Sequence, residues 1–159
     1  MSASDGMGAD MLALYDRAVA AISARLPEGL ILLFLRIAFA GVFWRSGRTK
    51  VEEGSLFSIS DTTYFLFAEE YSSVPLPSDL AAVLATVSEH LFPVLLVLGL
   101  FTRLSALALL GMTMVIQVFV YPEAWWQVHA LWVAMALALI VRGGGMFALD
   151  RLLVEKTRA

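Results

Sequence analysis

Four stretches of this chain are apolar at nearly every position: residues 29–44, 80–100, 104–120 and 125–141. Each approaches the ~20 residues that a helix needs to cross a ~30 Å hydrocarbon layer. Backbone polar groups in lipid must bond within the chain, so runs this long and this uniform predict helices and not barrel strands. Upstream, Met11, Leu14, Tyr15, Ala18, Ile22 and Leu26 recur at helical spacing while Asp16, Arg17, Ser23 and Arg25 stay polar. That pattern predicts an amphipathic helix lying along a membrane surface, capped by Asp10 and broken by Pro27 and Gly29. It lacks the basic start and long apolar core of a cleavable signal peptide.

The one long connection spans residues 48–79. Its segment 62–71 combines Tyr64, Phe65, Phe67 and Tyr71 with Glu69 and Glu70, which predicts a short interfacial element, either a lid over a pocket or a collar at the membrane surface. Pro75 and Pro77 then reset the chain, and Ser78 or Asp79 is expected to cap the second span. The fold expected is all-α: an integral membrane four-helix bundle over residues 29–159, preceded by an N-terminal amphipathic surface segment over residues 1–28.

Composition agrees with one membrane domain. At 60% hydrophobic and 16% charged residues, with a mean hydropathy of +0.80, the 159-residue chain has too little polar surface for a water-soluble globule. A net charge of -3 leaves no nucleic-acid footprint. The absence of cysteine removes disulfides, thiolate metal sites and thiol-disulfide exchange. Arg17, Arg25, Arg103, Arg142, Arg151, Lys156 and Arg158 flank one side of the spans, and the acidic excess lies in the long loop. The positive-inside rule therefore places both termini in the cytoplasm of a bacterial cell, with the chain in its inner membrane and the loop outside. Arg45, Arg48 and Lys50 depart from the rule and are expected to turn inward over the mouth of the bundle.

The polar interruptions carry the chemistry. An ionised group at bilayer depth is costly unless it pairs or faces a cavity, so Arg36 in the first run and Glu89 with His90 in the second mark a functional site. Counting 1.5 Å per residue from the start of each run, Arg36 and Glu89 are expected to meet near mid-membrane. Gln117 and His129 fall about one turn below the outer ends of the third and fourth runs, which predicts an outward-opening pocket. Arg36, Ala40, Phe43, Gly47 and Lys50 share one helical stripe, carrying positive charge from pocket floor to rim. Each residue also has a plainer role: an Arg36–Glu89 strut, histidines satisfying backbone carbonyls, and Trp125, Trp126 and Tyr121 as interface anchors. Two histidines on different helices without HxxH or ExxH spacing give a metal site little support, and none is assigned.

Arg36, Phe43, Gly47 and Lys50 are spaced as R-x6-F-x3-G-x2-K, and Glu89, Gly99, Leu100, Thr102 and Arg103 as E-x9-G-L-x-T-R. Residues 143–150 read like G-P-G-x-x-S-x-D, with Gly144 and Ala148 in place of the proline and serine. In this order the motifs resemble the DoxX family of small four-helix membrane proteins over residues 30–153. Phe92 and Pro93 replace a glycine pair common after the family glutamate, so a kinked helix and a bulkier pocket are expected below Glu89. The family takes its name from the small subunit of a thiosulfate:quinone oxidoreductase, and many relatives are classed as oxidoreductases by similarity alone.

Two functions stand open. The first is a non-catalytic membrane partner or small-ligand-binding subunit, whose outer loop recruits another membrane or exterior protein. The alternative is a quinone-associated oxidoreductase subunit with Glu89 and His90 as proton relay and Arg36 setting their proton affinity. The chain has no dinucleotide, flavin or haem motif, so no intrinsic cofactor is expected and electrons would need a quinone or a partner's group. The candidate ligand-binding residues are Arg36, Phe43, Lys50, Glu89, His90, Gln117, Trp126 and His129.

Overall fold

The computed structural model describes residues 3–25, 27–151 and 153. Leu26, Lys156 and Arg158, which entered the sequence reading, lie outside them. Among the described residues four helical segments are long and apolar enough to cross a membrane: α2 (Glu28–Arg48), α4 (Ser78–Leu98), α5 (Thr102–Phe119) and the segment Pro122–Arg142 ending in α6 (Ala130–Arg142). The protein is an all-α integral membrane bundle. Helix α1 (Ala3–Arg25) precedes them and α3 (Asp61–Glu69) lies in the long connection.

Local chemistry explains the boundaries. Pro27, with φ -57° and ψ 132°, precedes the first turn of α2, a place where its missing N–H costs no helical bond. Asp10 lies inside α1 and not at its start. Pro77, and neither Ser78 nor Asp79, precedes the first turn of α4, which has no side-chain cap. Ser60 does cap α3, accepting from the Thr63 amide. Helix α4 continues through Pro93, although the missing proline N–H leaves the Glu89 carbonyl without its helical donor. It ends in a Schellman turn: Gly99 takes φ +69°, its amide donates to Leu96 O, and the Leu100 amide donates to Leu95 O.

The helices close a ring in which α2 packs on α4 and α6, and α5 packs between α4 and α6. Leu32, Phe39, Phe43, Leu96, Leu109 and Leu139 fill its centre and are buried. A second cluster forms where Phe67 of α3 covers Ala81 and Ala82 on the first turns of α4. Those turns overhang the end of α2, since Gly47 near that end is level with Glu89: a Cβ built on Gly47 would sit 3.0 Å from Glu89 Cβ and from the His90 ring. The side chains described on α1, from Met11 to Ser23, are exposed. Below, the side of the bundle carrying α3 is the loop end and the opposite side the terminus end.

Candidate functional site

The predicted stripe on α2 exists: Arg36, Ala40, Phe43, Gly47 and Lys50 are all buried. Its two cations, however, serve different partners. Arg36, fully buried, turns toward the terminus end, where Nη1 donates to Leu96 O and Val97 O at 3.2 Å each and Nη2 to Phe147 O at 3.1 Å. The last carbonyls of a helix lack intrahelical donors and carry the negative end of its dipole. Arg36 is thus the cation that finishes α4.

The expected Arg36–Glu89 pair does not form. Arg36 and Gly47 are separated by eleven residues, or about 16 Å of helix, and Glu89 is level with Gly47. Depth counted from the start of the second apolar run misplaced Glu89, because α4 extends well past the end of α2. Glu89 instead receives Lys50, with Nζ 2.7 Å from Oε2, and Ser46, whose hydroxyl donates to Oε1 at 3.1 Å. Lys50 Nζ also donates to Ser46 Oγ at 3.0 Å. Glu89 is 2% exposed and Lys50 7%. A buried pair of this kind is stable only because each charge is matched and hydrogen-bonded, and removal of either strands the other.

The pair forms the floor of a cavity of about 260 Å³. Phe92 and Met112 line its walls, and Phe67, Tyr71, Val74 and Leu76 form its roof. The exposed side chains of Leu84 on α4 and Val115 on α5 flank it on the lipid-facing side. Apart from the Lys50–Glu89 floor, the lining is almost wholly apolar. The predicted interfacial element is therefore a lid, α3 with residues 70–77. Phe67 stacks on Tyr71 with centroids 4.4 Å apart, Tyr71 meets Tyr121 edge to face, and the Tyr121 hydroxyl donates to the Glu70 carboxylate. Burial, then the neighbouring charges, push the Tyr71 phenol up to about 12. Accepting the Tyr121 proton, Glu70 holds that phenol above the usual tyrosine range as well.

The other candidates lie apart from this cavity. His129, 3% exposed, hydrogen-bonds Gln117 through Nδ1 and Oε1 at 2.7 Å, and Gln117 Nε2 donates to Pro122 O at 2.8 Å. The predicted depth match of Gln117 and His129 is real, but they satisfy each other. The His129 ring lies beside Trp132, whose indole meets Phe43. Trp126 is 86% exposed, as an interface anchor would be. His90 lies on the flank of α4 turned away from the cavity; Nδ1 sits 2.8 Å from Thr86 O, which makes Nδ1 the donor. Arg36, Glu89 and His129 do not converge. Sequence reasoning missed Ser46, one turn before Lys50, the spacing at which a lysine folds back along its own helix; Tyr71 was read as part of the interfacial element and not singled out as lining the cavity.

The conserved-looking spacings now have a physical content. Asp150 Oδ1 accepts from the Phe101 amide at 2.7 Å and Oδ2 from the Thr102 amide at 2.8 Å, capping α5 from a distant segment, while its own amide donates to Gly99 O. A Cβ on Gly99 would sit 2.2 Å from Arg36 Nη1 and 2.6 Å from Ala148. Arg36, Gly99, Thr102 and Asp150 build the terminus end; Phe43, Gly47, Lys50 and Glu89 build the loop end. A relative from Haemophilus influenzae, described as an uncharacterized protein, is 33% identical over 142 residues, covering 79% of this chain and 85% of its own. No solved structure matches. The DoxX family profile matches residues 31–122, a stretch that holds both the Arg36 cap and the Lys50–Glu89 floor, and the chain belongs to the DoxX family.

Proposed function

We propose that this protein is a non-catalytic membrane subunit that binds a small amphipathic ligand at the loop end of its bundle. The observation that carries the reading is the cavity between α4 and α5, mostly apolar, with one buried, hydrogen-bonded cation-carboxylate floor besides Ser88 and the Tyr71 phenol. A mostly apolar pocket with few placed polar groups is the common form of a small-molecule site. Lys50 would donate to a carbonyl or other acceptor on the ligand's head, Phe67, Tyr71 and Phe92 would hold its apolar body, and the lipid-facing flank would admit it from the bilayer. By the positive-inside rule the termini are cytoplasmic and this end faces the exterior of a bacterial inner membrane. Helix α1 then lies on the cytoplasmic surface, its apolar side chains in the interface, and the lid is the surface offered to a partner protein.

A quinone is the narrower reading of the same cavity, favoured by its combination of one cationic donor with three aromatic side chains. In that case Glu89 beside Lys50 supplies the proton-handling group and a partner supplies the electrons. The test is extraction of the purified full chain followed by mass spectrometry, compared with Ala108→Phe, which fills the cavity, and Lys50→Met. One amphipathic molecule enriched in the wild type and lost in both variants, with the thermal stability of Ala108→Phe unchanged and that of Lys50→Met lowered by the stranded Glu89, is the expected result. Identical extracts from all three proteins would refute the site.

A further inference from the structure

The flank of α4 opposite the cavity carries a second feature. Two openings of about 430 and 360 Å³ share Trp44 and Val94 and so form one groove along the seam of α2 and α4. Its wall on α4 runs from Thr86 to Leu98, about 18 Å of helix, comparable to the ~15 Å depth of one leaflet. On α2 it is lined by Ile37, Gly41 and Trp44. Gly41 has no atom within 4 Å of where a Cβ would stand, leaving room for a chain to lie against the backbone.

The stripe does not stop at the groove. Ile37, Gly41 and Arg45 follow one another at four-residue spacing, with Trp44 and Arg48 beside them. Arg45 is exposed and has no partner among the described residues. Arg48 donates to Ser55 O and so holds the loop that presents Leu56 and Phe57 as the groove's outer wall. Phe57 is 91% exposed, a position suited to the interface. Lys50 is neutralised by Glu89, so Arg45 and Arg48 are the basic residues at this end that the candidate site leaves unused.

We infer that the α2–α4 groove binds an anionic phospholipid of the leaflet at the loop end, with one acyl chain along Ile37, Gly41 and Val94 and its phosphate against Arg45 and Arg48. The apolar length selects a lipid tail and the unpartnered cation selects the headgroup charge. His90 adds a headgroup contact at the same level. Its Nδ1 donates to Thr86 O, and Nε2, buried beside the groove and without a partner among the described residues, is the acceptor a glycerol hydroxyl would reach once the ring turns toward it.

Native mass spectrometry of the full chain, titrated with phosphatidylglycerol or phosphatidylcholine of the same acyl chains, tests the assignment. Phosphatidylglycerol should bind about fivefold or more tightly, the preference expected from one or two interfacial cations. Arg45→Gln should bring the two lipids to within about twofold, and Gly41→Leu, which fills open space without a clash, should weaken both. Equal binding of the two lipids by the wild type would overturn the assignment. So would unchanged phosphatidylglycerol binding by Gly41→Leu, or a wild-type dimer that this variant converts to monomer, since a second copy would then occupy the groove.

Discussion

The two ends of α2 each bury one cation, and they use it in opposite ways. At the terminus end Arg36 spends its donors on three backbone carbonyls in a tightly packed corner where even the hydrogen of Gly99 has no room to become a methyl. At the loop end Lys50 has a single carboxylate, the Ser46 hydroxyl and, at a longer 3.5 Å, the Ser46 carbonyl, with open volume beside them. A planar fork of five donors suits several fixed acceptors, while a flexible ammonium suits a partner that can be exchanged. The difference separates a structural joint from a site.

The sharpest way to break this comparison is at the joint. Arg36→Ala should cost on the order of 3–5 kcal/mol, because Val97 O and Phe147 O lose the Arg36 donor and a cavity opens in a buried corner. A fall in melting temperature in detergent reads this out; a fall no larger than that of an exposed substitution would show the corner to be dispensable. Gly99→Ala, forced into positive φ and into contact with Arg36 and Ala148, should cost roughly 1–3 kcal/mol by the same measurement. At the site, Lys50→Met and Glu89→Gln should each destabilise, while the double variant should cost less than their sum by about 1–3 kcal/mol. Additivity would mean that the pair is not coupled. His129→Ala and Gln117→Ala sharpen the boundary of the site: each should cost about 1 kcal/mol, nearly the same alone or together, with ligand retention unchanged.

The smallest effect belongs to the lid. The Tyr71 and Tyr121 phenols have proton affinities raised by folding, so their contribution to lid closure is intact below the ordinary tyrosine value of about 10. It is lost as pH climbs through the higher folded values, because the ionised phenol of Tyr121 faces the Glu70 carboxylate. Absorbance titration should show Tyr71 and Tyr121 ionising above the ordinary tyrosine value, and Tyr121→Phe should remove one of those two transitions. Titration of all tyrosines together near their ordinary value would contradict the latch.

Much of this was legible in the residues. The four spans follow from length and hydropathy alone, and the buried stripe from Arg36 to Lys50 follows from 3.6-residue geometry. The lid was foreshadowed by aromatics interleaved with glutamates. What misled was the assumption that an apolar run begins at the membrane surface. The first turns of α4 rise past α2 and are clad by α3, so Glu89 lies opposite Ser46 and Lys50 and out of register with Arg36. Gln117 and His129 were placed at matching levels, as their hydrogen bond requires, yet level does not reveal that a polar group's partner is another protein group. The Asp150 cap was equally hidden, since it joins residues 48 and 49 positions apart.

That cap also sets an order of assembly. Residues 143–150 follow all four spans in the chain, yet they supply the acceptor for Arg36 Nη2 at Phe147 and the anion that quiets the bare amides of Phe101 and Thr102, where Phe101 holds an unfavourable φ of 50°. A nascent chain therefore carries an unfinished hairpin of α4 and α5 from the completion of α5 at Phe119 until Asp150 is added. A chain truncated just before Asp150 should therefore keep four complete spans but leave the Phe101 and Thr102 amides uncapped, and its melting temperature in detergent should fall.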